Sequence, residues 1–155
     1  MKFNDIKSKK LIATALQYIM SEATGGKNNL DITNTAQYDA IDMTADLKDI
    51  SGNTIRTYAI ECKDRKCNSY TYDTAMLEQS KYESLSNSGK DRKLYVNTYA
   101  DDIMYVWNVE KITPKYHTYF APKTTDGDTQ WSRRKVHKKC IELDFNEAVL
   151  KVDLK

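Results

Sequence analysis

Residues 54–63, TIRTYAIECK, constrain the fold more than any other stretch. Tyr58-Ala59-Ile60 is apolar on both sides of an extended chain, which suits a strand near the middle of a covered sheet. The run stops at a carboxylate, Glu61, with Lys63 two residues on. A carboxylate ending a buried strand is costly unless it is paired or bound to a cation. The preceding stretch, residues 38–48 (YDAIDMTADLK), alternates. Ile41, Met43, Ala45 and Leu47 share one face, and Asp42, Thr44, Asp46 and Lys48 share the other, as in a half-buried strand. Residues 49–53, DISGN, supply a turn, so the two strands read as a hairpin.

The remaining elements follow from periodicity. Residues 5–22 carry Leu11, Ile12, Ala15, Leu16, Ile19 and Met20 at three- and four-residue steps, one stripe of a helix that Gly25-Gly26 ends. Residues 27–37 read as polar loop. A second helix is expected over 71–87, with Met76, Leu77 and Leu85 inward. Strands are expected at 93–99 and 103–109, with a weaker one at 116–120. Residues 121–135 read as a long polar loop, 136–145 as a strand and 146–151 as a short helix. The helix at 71–87 lies between two strands, so it crosses one face of a mixed sheet. The whole is one α/β domain of 155 residues.

Charge is unevenly spread along the chain. The net value is only +2. Residues 1–50 hold six lysines against seven acids, whereas 111–140 hold eight basic residues against Asp126 and Asp128. An acidic front and a basic back suit a chain that brings a cation and a polyanion together. Three cysteines, Cys62, Cys67 and Cys140, show no zinc-site spacing and fit a reducing, cytoplasmic compartment. The apolar stretch after the first lysines is interrupted by Thr14, Gln17 and Tyr18, so neither a signal peptide nor a membrane partner is expected.

Acid-x-Lys occurs six times in this sequence, and only Glu61-Cys62-Lys63 ends a strongly apolar strand. With the turn centred near Ser51, opposing residue numbers sum to about 102, which sets 41 against 61 and 39 against 63. Asp39, Glu61 and Lys63 then converge on one face, and Asp42 falls on the other. Two carboxylates from adjacent strands suit Mg²⁺, which takes oxygen ligands and keeps several waters. The Cys62 carbonyl is the expected third ligand. Such a metal activates water and steadies charge on a phosphate, with Lys63 assisting.

This arrangement resembles the PD-(D/E)XK nuclease superfamily, which places an acid, a hairpin, an acid-x-Lys strand end and a helix in that order. Tyr38 stands where the family name puts proline. The resemblance covers about residues 5–109, leaving 110–155 as a basic extension, and implies a restriction-endonuclease-like core: a central mixed sheet flanked by helices, in αβββαβ order. It implies a Mg²⁺-dependent nuclease (Mn²⁺ substituting) that cleaves DNA, less often RNA, and that pairs as a homodimer where both strands are cut. Glu22, at the end of the first helix, is the matching outer metal ligand, and Gln79 and Lys81 are the candidates on the second helix. Arg133, Arg134, Lys135, Lys138 and Lys139 are the phosphate contacts expected in the basic extension. The family also contains inactive members, so a nucleic-acid-binding or protein-binding module on the same scaffold is the rival expectation.

Overall fold

The computed structural model describes residues 2–36, 39–124 and 131–155, with side chains described for these except 2–8, 119–124 and 131–136. Helix α1 (Lys2–Ala23) opens the chain. Its predicted stripe is found: Ile12 and Leu16 are buried, and Ile19 and Met20 pack beside them. The helix ends as the glycines foretell, with Gly25 and Gly26 both at positive φ and the Gly26 N–H donating to the Ser21 carbonyl at 2.8 Å.

Three antiparallel strands follow, β1 (Asn29–Asn34), β2 (Met43–Lys48) and β3 (Thr54–Asp64). Strand β1 corrects the loop expected over 27–37. It lies at the sheet edge and buries only Leu30 fully, so its sequence carries almost no apolar alternation. After β3 the chain forms a short strand β4 (Thr74–Glu78) and then helix α2 (Gln79–Ser86). This corrects the single helix expected over 71–87. Ala75 and Leu77 alternate inward from a strand, a pattern that a helical reading of so few apolar residues also accommodates.

Strand β5 (Arg92–Thr98) returns parallel to β3, and β6 (Ile103–Asn108) and β9 (Leu150–Asp153) complete a six-stranded mixed sheet in the order β1-β2-β3-β5-β6-β9. Strand β9 replaces the helix expected over 146–151. Only one turn of 3₁₀ helix, Phe145–Glu147, precedes it. Strands β7 (Lys115–Thr124) and β8 (Trp131–Asp144) pair antiparallel through most of the segment expected as loop, and with β4 they form a second sheet, β4-β8-β7. Setting β4 aside, the order α1-β1-β2-β3-α2-β5 around a mixed sheet is the αβββαβ core that the sequence motif implies.

Two cores account for the double-sided apolar run of β3. Tyr58 and Ile60 join α1 residues Ile12 and Leu16 on one face of the large sheet. Ala59, with Tyr95 and Trp107, packs on the other face against Leu77, Ile141 and Leu143 of the small sheet and Leu85 of α2. Glu61 follows Ala59 on this second face, and α2 lies over it.

Candidate active site

The hairpin register decides which acid meets Glu61. At the turn, Lys48 pairs with Thr54, as a sum of 102 requires. The register then shifts between Leu47 and Lys48, so Leu47 pairs with Arg56 and Ile55 becomes an extra residue on β3. From there to the strand end the pairs run Asp46↔Thr57, Ala45↔Tyr58 and Met43↔Ile60. A one-residue bulge exchanges the faces of everything beyond it. Asp42, not Asp39, therefore comes level with Glu61.

Contacts at the strand end bear this out geometrically. Asp42 Oδ2 accepts from the Cys62 backbone N–H at 2.9 Å, continuing the ladder with a side chain where β2 turns away. Its Oδ1 meets the Lys9 ammonium of α1 at 2.9 Å. Asp39 instead sits in an exposed turn, where its carboxylate accepts from the Ala36 N–H at 2.8 Å.

Glu61 is 7% exposed. Its Oε1 meets Lys81 of α2 at 3.0 Å, while Oε2 is buried without a hydrogen-bond partner among the described residues. Burial, and then the charge of Asp42, push the Glu61 carboxyl from its ordinary 4.5 up to about 7, against the opposing pull of Lys81. Lys63, Cys62, Arg65, Glu78 and Lys81 line the same pocket, of about 170 Å³. Tyr95, the β5 neighbour of Glu61, closes it from the side. Next along β5, beside Lys63, the buried Asn97 has a second oxygen without a partner, its Oδ1.

The other expected site residues lie apart. Glu22 is exposed in the last turn of α1, thirteen residues beyond Lys9. At about 1.5 Å per residue it is roughly 20 Å along the axis from the end of the helix that touches Asp42. Gln79 donates to Glu83 at 3.0 Å and lines a different depression, together with Lys138 and Lys139. Lys138 is paired with Glu78 at 3.1 Å, and Lys139 is exposed. Arg133, Arg134 and Lys135 belong to β8, but their side chains lie outside the described residues. Lys81, rather than Gln79, is the α2 side chain that reaches Glu61: its ammonium stands 3.0 Å from Glu61 Oε1 and 3.4 Å from the Ala40 carbonyl.

The donor set suits a hard cation. Glu61 offers a buried carboxylate oxygen that no hydrogen-bond donor among the described residues meets, and Asp42 brings a second carboxylate to the same strand end. Two carboxylates with waters and a backbone carbonyl suffice for Mg²⁺. Among the described residues no cluster of three or more His, Cys, Asp or Glu side chains forms a richer site. The three cysteines form no disulfide, and among the described residues no helix is long and apolar enough to cross a membrane.

No family model and no curated protein matches the chain. Among solved structures it is similar to a Holliday junction resolvase from Archaeoglobus fulgidus. The likeness covers 95% of this chain and 91% of that one, at 13% identity and a TM-score of 0.48.

Proposed function

We propose that the protein is a divalent-metal-dependent nuclease acting on DNA, with Asp42 and Glu61 as metal ligands and Lys63 as the assisting amine. The observation that carries this reading is the unpartnered Oε2 of Glu61, buried at a strand end beside a second carboxylate. A polar oxygen left unsatisfied in this way costs about 1–3 kcal/mol, and a bound cation would recover it.

The metal, once bound, supplies Lewis acidity and an activated water. The chain's own residues do the rest. Glu61 and Asp42 hold the cation, and the Cys62 N–H and Lys9 fix the orientation of Asp42. Lys63, on the rim of the same pocket, neutralises charge building on the phosphate or orients the water. Lys81, 3.0 Å from Glu61 Oε1, balances the charge of that carboxylate. Lys139, with Arg133, Arg134 and Lys135, supplies phosphate affinity along the small sheet. Asp39, Glu22 and Gln79 have no part in this set.

One observation favours a second reading, a binding module without catalysis. Both carboxylates already have an ammonium partner, Lys9 for Asp42 and Lys81 for Glu61. Such a site is electrically satisfied without metal.

Incubation with single-stranded, branched and plasmid DNA in Mg²⁺ or Mn²⁺ separates the two. Cleavage by the wild type that is lost in Lys63→Ala and Asp42→Asn supports the nuclease. Binding that ignores metal, with no cleavage of any substrate, overturns it.

A further inference from the structure

A second cavity, of about 280 Å³, adjoins the carboxylate pocket. The two share Arg65 and Met76 as a common wall. That wall is fixed by hydrogen bonds: Arg65 Nη2 donates to the Met76 carbonyl and, at 3.0 Å, to the Tyr95 hydroxyl, which itself donates to Met76 at 2.9 Å. The Nε and Nη1 donors of Arg65 make no hydrogen bond among the described residues.

The cavity differs from its neighbour in chemistry. Its lining is mainly apolar and includes the aromatic rings of Tyr72, Tyr99 and Phe145. Of its polar lining residues, His117 and Glu142 make no hydrogen bond or ion pair among the described residues. They lie on paired strands, His117 opposite Cys140 and Lys115 opposite Glu142, so both project from the same face of the small sheet. Tyr72, which lines the cavity, is 68% exposed.

We propose that this cavity takes one unpaired nucleobase of the DNA whose phosphate lies at Glu61 and Lys63. The inference rests on the nuclease reading above. Three features select a base. The volume sits at the small end of ligand pockets, roughly 300–1,000 Å³, and suits one planar heterocycle. Aromatic rings stack on any base face, while a carboxylate and an imidazole answer the donors and acceptors on a base edge. The shared wall carries a guanidinium, which pairs with phosphate. The nucleotide's two halves thus meet complementary chemistry on the two sides of Arg65. A base inside a duplex cannot enter without leaving its stack. The substrate class is therefore DNA with an unpaired nucleotide at the cut: a single strand, flap or branch.

The test compares cleavage of a fully paired duplex with that of the same sequence bearing an unpaired 2-aminopurine beside the cut. Wild type is expected to prefer the unpaired substrate by about tenfold or more in kcat/KM, the scale of one stacking contact. Tyr72→Ala and His117→Ala, both at exposed positions, should lose that preference while cutting paired DNA at the wild-type rate. In the Lys63→Ala protein, binding should quench 2-aminopurine emission, and adding Tyr72→Ala should restore it. Equal loss on both substrates, or unchanged emission on binding, overturns the base pocket and leaves the nuclease standing. No cleavage of any DNA by the wild type overturns both.

Discussion

Burial makes the charge of Glu61 costly, and its behaviour with pH follows from that. Its folded pKa is raised above the ordinary carboxylate value, to about 7, so between pH 4.5 and 7 the folded state binds more protons than the unfolded. Stability is therefore favoured at low pH and lost as pH rises through this window, by up to about 3 kcal/mol. Glu61→Gln is expected to raise Tm at pH 8 and to change it little at pH 5. Thermal melts in EDTA at the two values check this, and an equal shift at both would contradict it. A second residue-scale prediction follows from the bulge. Asp42→Asn should cost roughly 100-fold or more in metal-dependent cleavage, as loss of a metal ligand or catalytic charge does. Asp39→Asn should stay near wild type, because among the described residues the Asp39 carboxylate bonds within its own turn. Initial rates on one DNA substrate decide between the two acids.

At the scale of elements, β1 and the hairpin bulge matter most. Strand β1 pairs with β2 over six residues but is anchored to the core by Leu30 alone among its fully buried side chains. Leu30→Ala is expected to destabilise the protein by about 2–4 kcal/mol, the usual cost of a buried Leu→Ala change. Thr33→Ala, on the exposed side, should stay within about 0.5 kcal/mol. Urea unfolding of both variants gives the comparison. The bulge at Ile55 has a different role. By adding one residue to β3 it brings Asp42 level with Glu61 while Met43, Ala45 and Leu47 still face α1. Helix α2 is short, eight residues, yet it buries Leu85 completely and carries Lys81 to Glu61. Position rather than helical strength gives it its role, because so short a helix is held by packing.

For the whole molecule, the two sheets divide the proposed work. The large sheet holds the carboxylates, and the small sheet carries the basic strand and forms one side of the base cavity. DNA affinity is then expected to fall steeply with salt. Lys139→Ala should lower the slope of log K against log salt by about one, the share of a single phosphate contact. Lys138→Ala should change it less, since Glu78 already neutralises Lys138. Fluorescence anisotropy with a labelled oligonucleotide across a salt series measures both.

The sequence by itself determined the central strand, the first helix and its glycine stop, and the place of Glu61 and Lys63 at a buried strand end. Each rests on local periodicity or on the cost of burying charge, which neighbouring residues alone reveal. It did not determine β1, β4 or β9. Their apolar residues are too few to impose a period, and they are strands because β2, β8 and β6 lie beside them with unpaired backbone groups. The acid that faces Glu61 was also beyond reach. One extra residue at Ile55 changes the face of Asp39 and Asp42 without changing any local pattern, so only the paired backbones decided between them. The same holds for Lys81, whose contact with Glu61 spans twenty residues of chain and exists only because α2 folds back over β3.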